Sequence, residues 1–299
     1  MLLWQAVSPC MKPFVRGHKR GDPEGGRVTQ TQGFKNRFRT YIVSVLKNTA
    51  QLLGQFLYPL KCLKCGVYID PDTVEPHTME ACFCDHCMGL GFYPIDKPFC
   101  IKCGIQFQKY FNENHVCETC LKTPFKVDRV RAAAEYKGIV KDAIPLFKYQ
   151  SKLSLAKVFE QLLFQTFLCH YATSRIDLIM PVPLHKIKLR QRGFNQAFLL
   201  IRNFRKIYQK SYQKLPQWEI DTVSLARIKR TEPQTGFDIK QRKKNLKKAF
   251  QVVDKNAIEN KNILLIDDVF TTGTTCNEAA MELLKNGAKK VEALVLART

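Results

Sequence analysis

Residues 263–275 constrain the fold of this 299-residue chain more than any other stretch. They read Ile-Leu-Leu-Ile-Asp-Asp-Val-Phe-Thr-Thr-Gly-Thr-Thr and lead directly into a helical pattern. The opening run is short, apolar and unbroken, which predicts a strand buried on both faces of a parallel sheet. Asp267 and Asp268 follow at the carboxyl end of this strand, where ligands bind in open α/β sheets. We therefore expect an α/β fold with a binding site at this edge.

The residues after the two acids have the composition of a phosphate-binding turn. They are Thr271, Thr272, Gly273, Thr274 and Thr275. Their amides and hydroxyls can surround a phosphate at the N-terminus of the next helix. Two carboxylates suit vicinal hydroxyls, either directly or through Mg²⁺. A ribose 5-phosphate satisfies both demands, and an ordinary strand–loop–helix turn with two solvated acids is the alternative.

This arrangement resembles the loop that binds phosphoribosyl pyrophosphate (PRPP) in type I phosphoribosyltransferases. In that family two acidic residues, here Asp267 and Asp268, hold the ribose 2′- and 3′-hydroxyls. The loop, here residues 271–275, holds the 5′-phosphate. The resemblance implies that PRPP binds with Mg²⁺.

Further motifs extend the resemblance. Residues 176–183 read Ile-Asp-Leu-Ile-Met-Pro-Val-Pro, and 179–182 predict a second buried strand. After a basic run, Gly-Phe-Asn-Gln at 193–196 is expected to open a helix, and Arg-Thr-Glu-Pro-Gln-Thr-Gly begins at Arg230. In this order the motifs resemble the ComF family of competence proteins, over about residues 58–298. The family implies a type I phosphoribosyltransferase-like parallel sheet flanked by helices, preceded by a small cysteine-rich double zinc ribbon.

The same resemblance implies a cytoplasmic protein that assists uptake of single-stranded DNA in natural transformation. Its partners would be DNA-uptake helicase or channel proteins, which could hold it at the inner face of the membrane. Two other functions stay open: an active phosphoribosyltransferase that uses a nitrogen acceptor, and a PRPP-responsive regulator. If an acceptor base binds, the zinc segment would have to form the hood over it.

Positive charge for a pyrophosphate group is available in two places. The turn after Pro183 would take the place of the pyrophosphate-binding loop, and residues 231–245 the place of the mobile loop that closes over PRPP. Arginine and lysine bind such phosphates well. The candidates are Lys186, Arg190, Arg192, Arg230 and Arg242. For each of them a solvated surface charge is the alternative.

Cysteine spacing is the second strong signal. Eight of the 12 cysteines form four Cys-x-x-Cys pairs: Cys62/Cys65, Cys84/Cys87, Cys100/Cys103 and Cys117/Cys120. Gaps of 18 and 13 residues separate the first two and the last two pairs, which is near the spacing of Cys₄ zinc ribbons. We expect two structural Zn²⁺ sites, the first pair joining the second and the third joining the fourth. Other pairings, a disulfide framework, an iron–sulfur cluster and a redox motif are the alternatives.

Net charge of +22 is concentrated in one segment. Residues 185–248 contain 18 Lys and Arg against four Asp and Glu, with aromatic residues between them. Basic surfaces with aromatic platforms bind single-stranded nucleic acid. Phe194, Phe198 and Phe204 are expected in the core, and the aromatic residues expected to be more exposed are Tyr208, Tyr212 and Trp218. Solubility or a general lysine bias is the alternative.

The chain divides into three expected parts. Residues 1–39 are Gly-rich, basic and without periodicity, which predicts a disordered extension. Residues 40–125 are expected to hold a helix at 41–57 and the double zinc ribbon, and residues 126–299 the phosphoribosyltransferase-like domain. No stretch of 18 apolar residues is present, so no transmembrane helix is expected.

Overall fold

A computed structural model of the chain describes residues 59–108, 113–123, 125–150, 152–229 and 248–299. The expected extension at 1–39 and helix at 41–57 lie outside these ranges, so both stay predictions. Arg230, Arg242 and the expected mobile loop at 231–245 also lie outside them.

Two short helices lie in the cysteine-rich segment before residue 126, and the described part of residues 126–299 contains both helices and strands. The helices are α1 (Asp85–Met88), α2 (Glu118–Lys122), α3 (Gly138–Tyr149), α4 (Ser154–Tyr171), α5 (Lys186–Arg192), α6 (Gln196–Leu199), α7 (Phe204–Tyr212), α8 (Lys255–Ile258) and α9 (Thr274–Lys285). The strands are β1 (Val130–Glu135), β2 (Leu178–Pro181), β3 (Glu219–Ile220), β4 (Leu225–Arg227), β5 (Phe250–Val252), β6 (Asn262–Phe270) and β7 (Lys290–Arg298).

A parallel sheet with the order β1-β7-β6-β2-β3 forms the centre of the molecule. Its two longest strands, β6 and β7, are buried over most of their length. Successive side chains point to opposite faces, so Ile263 and Leu264 belong to different hydrophobic clusters. Phe159 of α4 packs in one cluster and Leu283 of α9 in the other. The predicted α/β sheet with helices on both faces is confirmed.

The strands at the middle of the sheet end at different levels. β2 pairs with β6 only as far as Pro181 opposite Ile266, whereas β6 stays paired with β7 as far as Phe270 opposite Arg298. We expected the strand to end before the acids, but it continues through them. The acids therefore lie beyond the end of the neighbouring strand, on a backbone that β7 holds in place.

The basic run after Pro183, which we expected to be a turn, is helix α5, and Gly193 ends it with φ of 80°. The helix expected to follow is divided into α6 and α7. Between them the backbone N–H of Asn203 donates to buried Glu160 of α4, and the Asn203 amide donates to the other carboxylate oxygen at 2.9 Å. A continuous helix needs that N–H for its own bond, so Glu160 explains the break.

Trp218 is buried, with only 6% of its surface exposed, so the expectation that it is exposed was wrong. Its ring packs edge-on against Phe167 at 5.7 Å and Tyr208 at 5.8 Å between centroids. Phe204 is fully buried, as expected. Of the three aromatic residues proposed as platforms, Tyr212 alone is strongly exposed, at 45%.

The cysteine-rich segment before β1 docks onto that strand. Glu135 N–H donates to the carbonyl of Tyr93 at 2.8 Å, and Val130 N–H donates to the carbonyl of Lys102 at 2.6 Å. A methyl group on Gly104 would lie 2.8 Å from the carbonyl oxygen of Val130. This close approach requires glycine at the turn after the third cysteine pair.

Candidate functional site

The twin acids open into a cavity of about 680 Å³ at the end of the sheet. Asp267, Asp268 and Val269 of β6 line it, together with Thr271 and Thr275. Its volume falls within the roughly 300–1,000 Å³ typical of ligand pockets. Both acids therefore face the cavity, Asp267 as a half-buried side chain and Asp268 as a buried one.

Asp268 is paired with a lysine that the sequence analysis did not single out. The Nζ atom of Lys148, near the end of α3, lies 2.7 Å from Oδ1 of Asp268. Burial opposes the charge on Lys148, but Asp268 outweighs it and raises the lysine pKa. Oδ2 of Asp268 is buried and has no hydrogen-bond partner among the described residues. Such an acceptor is costly unless a ligand supplies a donor or a cation.

Asp267 has a strongly perturbed environment. Burial, and then the negative charge of Asp268, raise the pKa of Asp267 to about 7, while Lys148 and Arg227 oppose the shift. Arg227 of β4 lines the same cavity. A carboxyl that titrates near neutral pH in a cleft marks a candidate functional site. Ligand donors or a cation would favour its charged form.

The phosphate loop, residues 271–275, runs from the end of β6 into the first turn of α9. Gly273 adopts φ of 72° directly before the helix. A methyl group there would approach Phe270 to 2.3 Å and Phe125 to 2.9 Å, so this position requires glycine. The hydroxyls of Thr272 and Thr274 lie 2.8 Å apart. Backbone amides and hydroxyls at a helix N-terminus form a ready site for an anion.

The structure separates the cationic candidates of α5. Arg192 lines the cavity, together with Lys188 of the same basic run. Its guanidinium donates to Gln196 at 2.6 Å and lies 5.0 Å from the ring centroid of Tyr149. Lys186 and Arg190 are exposed and are not among the described residues that line the cavity.

Three cations of the cavity were missing from the candidates: Lys148, Lys188 and Arg227. Lys188 could have been included, because it lies one turn from Arg192 on the same helix. No sequence motif contains Lys148 or Arg227, because each is brought to the acids by tertiary packing. The cysteine-rich segment contributes no residue to the described lining, so the expected hood over an acceptor is not formed by residues 59–123 as described.

Two clusters of cysteines are present, and each could hold a metal ion. The first cluster comprises Cys62, Cys65, Cys84 and Cys87, and the second cluster comprises Cys100, Cys103, Cys117 and Cys120. Within each cluster all four sulfurs lie within 4.8 Å of one another. The grouping is the one that the spacing predicts. The sulfurs of Cys65 and Cys84 lie 3.5 Å apart, and those of Cys103 and Cys117 lie 3.7 Å apart. Four thiolates bound about 2.3 Å from one zinc ion would lie ~3.8 Å from one another, which is close to both distances.

One thiol in each cluster is predisposed to ionise. Burial opposes the thiolate of Cys62, but backbone donors at Cys65 and Cys84 outweigh it and lower its pKa to about 6. In the second cluster burial likewise opposes the thiolate of Cys100, and the N–H groups of Cys117 and Cys103 lower its pKa to about 7. Thiolates are the form that binds metals. By contrast, burial raises the pKa of the Cys276 thiol, as suits a small packed residue.

Every helix in the described part of the chain is too short or too polar to span a bilayer.

Comparisons with known proteins bear on the same region. The model of the phosphoribosyl transferase domain matches residues 209–299. Among solved structures, the allosteric regulatory enzyme of purine biosynthesis is 17% identical and aligns with 47% of this chain and 26% of its own, with a TM-score of 0.27 that supports no argument.

Several curated relatives are similar over most of their length. Competence protein F of Haemophilus influenzae is 32% identical over 220 residues, covering 71% of this chain and 90% of that protein. DNA utilization protein YhgH of Escherichia coli is 30% identical, covering 68% and 86%. Competence protein ComFC of Bacillus subtilis is 25% identical, covering 82% and 98%. With this coverage and the matching domain, the chain belongs to the ComF family of competence proteins.

Proposed function

We propose that this chain assists the uptake of single-stranded DNA in natural transformation and that its cavity binds PRPP. The observation that carries the PRPP assignment is the meeting of two carboxylates, a phosphate loop and several cations in one cavity. The DNA role follows from the relatives, whose names describe competence and DNA utilization. The matched phosphoribosyl transferase domain supports the PRPP assignment.

The ribose hydroxyls would donate to the carboxylates of Asp267 and Asp268. The unpartnered Oδ2 of Asp268 supports this role, because a buried acceptor favours a ligand that brings a donor. The ion pair with Asp268 raises the pKa of Lys148 and so keeps this buried lysine charged beside the ribose site. The carboxylate oxygens also fit Mg²⁺, which prefers oxygen ligands together with substrate phosphates and would neutralise the pyrophosphate charge when bound.

The 5′-phosphate would bind at the phosphate loop. Its oxygens would accept from the loop amides and from threonine hydroxyls such as that of Thr275, which lines the cavity. The N-terminus of α9 favours this negative charge. The pyrophosphate group would contact Arg192 and Lys188. Arg230 and Arg242, outside the described residues, stay proposals for the same role, whereas Lys186 and Arg190 are exposed and do not line the cavity.

Each cysteine cluster would hold one structural zinc ion. Four thiolates in near-tetrahedral separation fit Zn²⁺, and such a site stabilises a segment with little core of its own. The expected metal content is therefore about two zinc ions per chain.

Single-stranded DNA would bind outside the cavity through exposed cations. Lys186 and Arg190 are exposed on α5, and Arg205, Lys206 and Tyr212 are exposed on α7. Phosphate contacts supply sequence-independent affinity, and an exposed tyrosine offers a stacking surface. We place the protein in the cytoplasm, where DNA-uptake helicase or channel proteins could hold it at the inner face of the membrane.

Calorimetry with PRPP and Mg²⁺ tests the first half of the proposal. Asp267→Asn should weaken PRPP binding by at least about tenfold, because one lost hydrogen bond to a charged group costs roughly 1.5–3 kcal/mol. Asp72→Asn, in the cysteine-rich segment, is the matched control and should bind normally. Equal affinity in all three proteins would exclude the PRPP site. Measuring pyrophosphate release in the same samples separates binding from group transfer.

Salt dependence tests the second half. The logarithm of single-stranded DNA affinity should fall linearly with log[salt], by about 0.7 for each phosphate neutralised. A double change of Lys186→Gln and Arg190→Gln should reduce that slope by about 1.4, because two phosphate contacts are lost. A slope near zero in the unmodified protein would refute DNA binding.

A further inference from the structure

One arginine connects the second cysteine cluster to the phosphate loop. Nε of Arg298, the last residue of β7, donates to the carbonyl of Cys103 at 3.0 Å, and Nη2 lies 3.5 Å from the Cys103 sulfur. Nη1 of the same guanidinium donates to the carbonyls of Phe270 at 3.3 Å and Thr271 at 3.0 Å. The planar guanidinium therefore joins a cluster cysteine to the first residue of the loop.

The chain that leaves the second cluster packs on the outside of the same loop. Phe125 meets Phe270 edge-on, with ring centroids 6.0 Å apart, and both rings fill the space beside Gly273. Lys126 N–H donates to the side chain of Asn277, in the first turn of α9, at 2.7 Å. These contacts support the loop through residues that are not among the described lining of the cavity.

The first cluster has different neighbours. Lys64, between its first two cysteines, pairs with Asp142 of α3 at 2.6 Å. Both side chains of this pair are more than a third exposed, and pairs of this kind contribute little. Each cluster offers four cysteine thiolates to a metal ion, so loss of the metal from the first cluster is a matched control for loss from the second.

We propose that metal binding at the second cluster and phosphate binding at the phosphate loop are energetically coupled, with Arg298 as the positioning residue that carries the coupling. This inference rests on the proposed PRPP site. When four thiolates share one ion, Cys103 is held in place, and its carbonyl and sulfur fix the guanidinium. The guanidinium then fixes the carbonyls at the end of β6, so that the loop amides stay directed toward the anion. Outer contacts of this kind commonly orient metal ligands and tune their affinity.

Coupling of this kind is reciprocal. Loss of the second metal should weaken PRPP binding, and bound PRPP should strengthen the binding of that metal by the same free energy. Coupled sites typically change each other's affinity by about 5- to 150-fold. An effect of about tenfold is expected here, since the link includes hydrogen bonds to the carbonyls of Phe270, at the end of β6, and of Thr271, in the loop.

The experiment compares single cysteine changes in the full chain. Cys117→Ser removes a ligand of the second cluster without touching Arg298, and Cys65→Ser removes an exposed ligand of the first. Each protein should retain about one metal ion, and calorimetry with PRPP and Mg²⁺ should show about tenfold weaker binding for Cys117→Ser alone. Arg298→Met should weaken PRPP binding while retaining both metals. Adding Cys117→Ser to Arg298→Met should then weaken it no further.

Equal effects of the two cysteine changes, or additive effects of Cys117→Ser and Arg298→Met, would overturn the coupling. No PRPP binding by the unmodified, metal-loaded protein would instead refute the proposed function. If a variant fails to fold, metal transfer from the unmodified protein to a chromogenic chelator gives the answer. At equilibrium with the chelator, PRPP should raise the retention of one of the two metal ions, and unchanged or equally raised retention of both would reject the inference.

Discussion

Asp267 offers a sharp test of the site, because its pKa of about 7 lies well above the value near 3.9 of an unfolded aspartate. The folded state therefore holds this proton more tightly than the unfolded state. The stability that it contributes is fully present below about pH 4 and is lost as the pH rises through 7. As the pH rises from 5 to 8, the difference between the folded and unfolded pKa values of Asp267 lowers the free energy of unfolding by about 2–3 kcal/mol.

Asp267→Asn removes this titration, so between pH 5 and pH 8 the unmodified protein should lose about 2–3 kcal/mol more unfolding free energy than the variant. We expect urea unfolding, followed by circular dichroism with zinc present and PRPP absent, to show the difference between pH 5 and pH 8. Thr271→Val changes the same cavity without changing a titratable group, and it should keep the pH dependence of the unmodified protein. If Asp267→Asn keeps it as well, the acid is not held neutral by burial and by Asp268, and the electrostatic description of the site is wrong.

Three further predictions concern single side chains. Lys148→Met alone should destabilise the protein more than the double change Lys148→Met with Asp268→Asn, because the single change leaves the buried charge of Asp268 unpaired. Urea unfolding of both variants and of Asp268→Asn measures the difference. Trp218→Ala should cost about 3–5 kcal/mol of unfolding free energy as a core truncation, with single-stranded DNA affinity per folded molecule unchanged in a fluorescence titration. Gly273→Ala should weaken PRPP binding in calorimetry. Gly66→Ala, at a φ of 78° that strains alanine equally but with no atom within 4 Å of the added methyl group, lies away from the cavity and should leave PRPP binding unchanged.

The predictable features are those formed by residues that lie close together in the sequence. The β6–loop–α9 unit and its acids are contiguous, so one stretch of sequence contained the strand signal, the small-residue loop and the helix. The cysteine clusters were predictable for a similar reason, since short paired spacings limit which sulfurs can meet. The helix expected after Gly193 was only partly right, because Glu160 from a distant helix takes the N–H that would have continued it.

The sequence by itself determined the α/β class, the twin acids beside a phosphate loop and the two sets of four cysteines. Tertiary structure alone decided that Lys148 pairs with Asp268, that Trp218 is buried and that Arg298 reaches both Cys103 and the phosphate loop. Each of these contacts joins residues tens to hundreds of positions apart. Their meeting depends on strand order and helix packing, which periodicity and spacing within one segment do not encode.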